Sequence, residues 1–161
     1  MEFEAILDRF ASAVAAHDSP GLAALFTEDG CYDDYFFGPH DGRDAIAAML
    51  DRFYEGGEAF CWEFTEPVSR GDLAYASYCF SYRSREPESA GRIVVFEGMS
   101  RFRLRDGLIA HYGEVFDRGV AFTALGYVKP RIASLLERYS AGFAAGPAAE
   151  RHLRFRATRE R

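Results

Sequence analysis

Apolar positions change their period twice along the chain. Phe3, Ile6, Leu7, Phe10 and Val14 recur every three or four residues, which predicts an amphipathic helix over residues 2–17. Ser19-Pro20 reads as an N-cap followed by proline at the first helical position, opening a short helix that turns Leu22, Leu25 and Phe26 inward. Thr27 to Gly30 reads as a turn, and residues 31–37 alternate as a strand does. Gly38-Pro39 and Asp41-Gly42 break the chain. Helical spacing returns over residues 43–55 with Ile46, Met49, Leu50 and Phe53, and ends at Gly56-Gly57. From residue 60 the period is two, predicting strands over 60–66, 73–84, 92–104 and 108–117. Their turns carry Gly71, Gly91 and the Asp106-Gly107 pair. A short helix near 119–127 and a last one opening at Pro130, with Ile132, Leu135, Leu136 and Tyr139 on one side, complete the pattern. Helices, then a run of strands, then helices indicate an α+β fold with an antiparallel sheet.

With 161 residues, 48% of them apolar, the chain suits one domain, taken as residues 1–145. The net charge is −6, but the last eleven residues, RHLRFRATRER, hold five arginines against one acid. That leaves about −10 on the other 150 residues, a balance that argues against nucleic acid as a partner. Residues 146–161 are expected to form a basic, flexible tail. Cys31, Cys61 and Cys79 make an odd count without a CxxC spacing, as expected of buried free thiols in a reducing cytoplasm. No signal-peptide pattern and no membrane-spanning apolar run is read, so a cytoplasmic protein without a membrane partner is expected.

Aromatic residues reach 16%, enough to furnish a pocket as well as a core. Alternation places Tyr32, Asp34 and Phe36 on one face of their strand, and Cys31, Asp33 and Tyr35 on the other. Tyr112, Glu114 and Phe116 share a face of the last strand, with His111, Gly113 and Val115 opposite. In the 92–104 strand Val94, Phe96, Gly98, Ser100, Phe102 and Leu104 form the apolar set. Between Tyr78, Phe80, Tyr82 and the set holding Tyr75, Ser77, Cys79 the sequence does not choose. Trp62 alternates with Phe60 and Phe64. The four histidines are far apart, so no metal centre is expected. Neither a glycine-rich phosphate cradle nor a Gly-x-Ser-x-Gly elbow occurs.

Two phrases, LAALFTEDGCYDDYFFGPHDGRDAIAAML and FRLRDGLIAHYGEVFD, give residues 3–127 a resemblance to the SnoaL-like branch of the nuclear-transport-factor-2-like superfamily. This superfamily includes ketosteroid isomerases and polyketide cyclases. The resemblance implies a curved antiparallel sheet wrapped by helices into a cone, the cystatin-like α+β barrel, and a homodimer through the outer sheet face. Counted from the Glu28-Asp29 turn, Asp34 matches the ketosteroid isomerase base; counted back from Gly42, Asp33 does. Strand register is set by the nearer turn, which favours Asp34. Glu114 matches a pocket carboxylate on the terminal strand of limonene epoxide hydrolase. The donors of the isomerase oxyanion hole are missing, since Phe10 and Ser100 stand at those positions. Of the Arg and Asp pair of the epoxide hydrolase, the acid is missing near Ser81 and Arg83.

The resemblance therefore implies a cofactor-free site for a small hydrophobic, carbonyl-bearing molecule. Asp34 would be its general base or acid, with Glu114 or Tyr112 orienting the substrate or donating a proton. Tyr32, Phe36, Trp62, Tyr78, Phe80, Phe96, Ser100, Phe102 and Phe116 are the expected lining. Isomerisation, cyclisation or dehydration would suit such a site, and a non-catalytic ligand-binding or dimerisation module is the alternative.

Overall fold

The computed structural model describes residues 2–160. Its elements follow the order α1 (Glu2–Ala15), α2 (Ser19–Ala24), β1 (Phe26–Asp34), β2 (Gly38–Asp41), α3 (Arg43–Gly56), β3 (Gly57–Arg70) and β4 (Leu73–Ser84). Then come β5 (Ile93–Arg105), β6 (Leu108–Phe116), α4 (Arg118–Ala124), α5 (Lys129–Ala144) and α6 (Pro147–Arg159). The α+β class read from periodicity holds. Helix α2 begins one residue from the expected cap: Asp18, not Ser19, accepts the Gly21 N–H at 2.9 Å. Ser19 instead donates its hydroxyl proton to Asp51 at 2.6 Å.

Six strands form one sheet in the order β2-β1-β6-β5-β4-β3, open at both edges rather than closed as a barrel. The β3–β4–β5–β6 run is antiparallel, with bulges between Glu58 and Cys61, Thr65 and Val68, and Arg103 and Leu104. Ala59 and Glu66 take positive φ within two of those breaks. Bulges raise local twist and bend the strand, and here they curve the sheet around α1. Two expectations need correction. The sheet is not wholly antiparallel, because β1 runs parallel to β6, Tyr32 beside Tyr112. Thr27 to Gly30 is not a free turn: it lies within β1, where the register shifts between Phe26 and Cys31.

The concave face carries the core. Phe10 of α1 is completely buried, with its ring 5.2 Å from Trp62, 5.3 Å from Tyr112, 5.7 Å from Phe64 and 6.0 Å from Tyr32. The ambiguity in β4 resolves in the same direction: Tyr78 and Phe80 are buried inward and Cys79 is exposed. The cysteines are free, but they are not buried as expected. Cys61 and Cys79 are exposed and Cys31 is partly buried, because strand alternation gives the inner face to Trp62, Phe80 and Tyr32. Among the described residues no helix is long and apolar enough to cross a membrane.

Helix α6 occupies most of the segment read as a tail. None of its residues is buried, and Glu150–Arg154 and Arg156–Glu160 pairs one turn apart support it. Helical spacing there was masked by the density of arginines.

Phe10→Ala should destabilise the fold by about 3–5 kcal/mol, because Tyr32, Trp62, Phe64, Phe102 and Tyr112 would be left facing a void. Chemical denaturation of the variant checks this; a loss below about 1 kcal/mol would mean that the rings collapse into the gap.

Candidate active site

The parallel register of β1 and β6 creates the site. Tyr32 lies beside Tyr112 and Asp33 beside Gly113, so the inward residue two further along β1, Asp34, comes alongside Glu114 of β6. Both carboxyls line one cavity of about 360 Å³ between the concave face and helices α3, α4 and α5. That volume suits a small organic molecule. Asp33 points the other way, onto the outer face, where it borders a depression with Tyr35, Tyr75, Met99 and Val115.

Asp34 ends β1 and is 6% exposed. Its Oδ1 accepts the backbone N–H groups of Phe36 and Phe37, both at 2.8 Å, in a tight turn. Burial pushes its pKa up to about 6; the Phe37 and Phe36 N–H bonds oppose the rise, Asp33 adds to it and Arg118 counters it. The turn is fastened from its other side. Arg118 donates from Nε to the Tyr35 carbonyl at 2.9 Å and also from Nη2, and its guanidinium lies 3.4 Å from the Tyr35 ring centroid and 3.7 Å from that of Tyr139. The Tyr139 hydroxyl of α5 donates to the Phe36 carbonyl at 2.9 Å.

Glu114 belongs to a chain of hydroxyls. Its Oε2 accepts from Tyr78 at 2.6 Å and from Tyr112 at 3.1 Å, and the Tyr112 oxygen accepts from the Ser100 hydroxyl at 3.0 Å. Burial first, and the charge of Asp34 second, raise its pKa to about 7 against those hydroxyl bonds. Tyr78 and Tyr112 are also shifted upward, chiefly by burial and then by Glu114, so both keep their protons as donors. Gly98 makes room for this arrangement. A Cβ there would stand 2.6 Å from the Tyr78 hydroxyl and 2.6 Å from the Val115 carbonyl.

The sequence profile of the SnoaL-like domain matches residues 7–112. The chain belongs to the SnoaL-like family. Solved structures of low identity share this SnoaL-like fold. A protein from Catenulispora acidiphila with a ketosteroid isomerase-like fold, solved in complex with trimethylamine, superposes with a TM-score of 0.70 at 19% identity, over 76% of this chain and 93% of that one. An epoxide hydrolase of the limonene type from M. tuberculosis gives 0.64 at 19% identity, over 77% and 89%. A protein assigned as a polyketide cyclase from Xanthomonas campestris gives 0.64 at 19% identity, over 77% and 96%. At these identities the likeness speaks for the fold alone. No curated protein matches the chain by sequence.

Of the residues read from the sequence, Asp34, Glu114, Tyr32, Phe36, Trp62, Tyr78, Phe80, Phe96 and Phe116 line the SnoaL-like cavity. Tyr112, Ser100 and Phe102 do not. They are completely buried beneath it, because α1 covers that half of the sheet, and Tyr112 reaches the cavity only through Glu114. Strand alternation identifies a face but not how far along the strand a helix covers it. Sequence reasoning missed the helical side of the cavity: Arg52 and Phe53 of α3, Phe122 of α4, and Arg131, Leu135, Arg138 and Tyr139 of α5, together with Tyr127. Leu135 and Tyr139 stand on the inward stripe predicted for the last helix, which was the available signal. Among the described residues no three metal-ligating side chains cluster.

Both carboxyls bind protons more tightly folded than unfolded, at about 6 against 3.8 for Asp34 and about 7 against 4.5 for Glu114. The stability this contributes is fully present below about pH 4 and is lost as pH rises through about 6 and 7. Calorimetric melting should therefore show wild type losing more stability between pH 4.5 and 8 than Asp34→Asn or Glu114→Gln does, by on the order of 2–3 kcal/mol. Parallel pH slopes in all three would show both acids to be hydrated.

Proposed function

We propose that this SnoaL-like protein binds a small, mostly apolar, carbonyl-bearing molecule and moves a proton next to the carbonyl, in an isomerisation, cyclisation or dehydration. The observation that carries this reading is two carboxyls, Asp34 and Glu114, facing one aromatic-walled cavity. Two acids in one poorly hydrated site resist ionising together, so near neutral pH one holds a proton while the other is charged. Asp34 is the better base of the two, because two backbone N–H groups favour its charged form. Glu114, with the higher pKa and the charge of Asp34 nearby, keeps the proton and donates it. Tyr78 lines the cavity with its hydroxyl on Glu114 and orients that group; Tyr112 acts from behind it. Trp62, Phe80, Phe96 and Phe116 supply flat apolar walls.

The test needs no knowledge of the natural substrate. Wild type should accelerate exchange of the α-hydrogens of 2-tetralone in deuterated buffer, followed by proton NMR. The rate should rise with pH through about 6 and fall above about 7. Asp34→Asn should lose about 100-fold or more, in line with removal of a general base. Binding of the ketone without enzyme-dependent exchange would leave a ligand-binding module of the same fold, whose Asp34 serves only its turn.

We also propose a homodimer through the outer sheet face. Met99 and Val115 are adjacent across β5 and β6 and both are exposed, as are Ile93 and Val95. Exposed apolar side chains that cluster on one sheet face, here broken only by Glu97 between Val95 and Met99, mark an interaction surface. Light scattering should find a dimer for wild type and a monomer for the Met99→Glu/Val115→Glu double variant; a monomeric wild type would refute the interface.

A further inference from the structure

We propose that the molecule taken by this cavity is an oxo acid, whose ketone enters while its carboxylate stays at the mouth on Arg52 and Arg138. This rests on reading the cavity as a ligand site. Arg52 of α3 and Arg138 of α5 both border the cavity, and among the described residues neither forms an ion pair. Both side chains are exposed where they border the cavity, one on α3 and one on α5, which puts them at its mouth. Arg52 donates to His40 Nδ1 at 3.3 Å, and His40 is paired with Tyr32 across β1 and β2. Arg138 precedes Tyr139, whose hydroxyl holds the Phe36 carbonyl, and its guanidinium lies 5.7 Å from the Tyr139 ring centroid. An arginine only donates, so the His40 Nδ1 lone pair accepts and fixes the Arg52 side chain without adding charge.

Of the other ionic groups on the cavity wall outside the acid pair, Arg131 is paired and Glu86 keeps one negative charge. Arg131 is bonded to Glu88 at 2.7 Å, and Glu86 accepts the Tyr127 hydroxyl at 2.7 Å. Two unpaired guanidiniums against the one Glu86 carboxylate leave the entrance net positive, on a chain whose other residues are acidic in sum. The interior has the opposite character. A carboxylate that entered first would meet Asp34 and Glu114 in a poorly hydrated site, whereas a neutral ketone meets two proton-handling groups and the aromatic walls. The cavity thus has an axis: apolar with acids at depth, cationic at the mouth. Planar guanidinium groups suit a carboxylate in particular, through paired N–H donors.

Trp62 is the single tryptophan and lies in the cavity wall, so its fluorescence reports entry. The probes are 4-(2-naphthyl)-4-oxobutanoate, its methyl ester and 2-acetonaphthone. The acid should quench Trp62 with about tenfold higher affinity than the ester at low salt, and added salt should weaken the acid alone. In Arg52→Gln/Arg138→Gln that preference should vanish while ester affinity and melting temperature stay as in wild type. Equal binding of acid and ester, or a preference that survives the double variant, would overturn the oxo-acid assignment and leave the ligand cavity standing. Failure of all three probes to quench would overturn the cavity reading along with it.

Discussion

The parallel ladder between β1 and β6 is the constraint on which the site depends. These strands are separated by residues 35–107, nearly half of the chain, and between them the backbone makes an edge strand, a helix and a three-stranded meander. Their register, Tyr32 beside Tyr112, sets two acids side by side on the concave face. A slip by one residue would turn Asp33 inward and Asp34 out, because side chains alternate strictly. Phe10 helps hold that register, since its ring contacts both Tyr32 and Tyr112 from α1. Core packing and site geometry are therefore the same set of contacts seen from two sides.

Hollowness in so aromatic a protein also has a physical source. Flat rings fill the closed half of the concave face, where α1 presses Phe3 and Phe10 onto Phe102, Phe64 and Trp62. Toward the other half, Phe80, Phe96 and Phe116 face α4 and α5, which stand further off and leave the cavity. The buried acids at the junction are kept hydrogen-bonded, one by peptides and the other by tyrosines, as low-dielectric surroundings require.

Much of this was legible in the sequence, and the parts that were not share a cause. Period-two alternation sorted each strand into two faces but left the inward face of β4 open; counting from the Glu28-Asp29 turn chose Asp34 over Asp33, and the family resemblance singled out Glu114. It could not show that β1 pairs with β6 in parallel, because strand order is decided by contacts distant in the chain. Nor could it show where a helix ends its cover of a strand, which is why Ser100 and Phe102 read as lining although they lie under α1. Arg52 and Arg138 carried no signal of their own, since helical period marks the apolar stripe and not which flanking cation borders a cavity. Cys61 and Cys79 illustrate the reverse error: a residue type that is usually buried stood on the alternate positions that strands left outside.

The fastening of the 34–37 turn couples two regions that look separate. The peptide joining Tyr35 to Phe36 has its carbonyl on Arg118 and its N–H on Asp34. The next peptide has its carbonyl on Tyr139 and its N–H on Asp34. Each amide polarises under the donor on its oxygen and becomes a stronger donor itself. The doorway helix and the proton affinity of the buried acid are therefore wired through two consecutive amide planes, so that whatever lifts α5 from the turn also makes Asp34 a weaker acid.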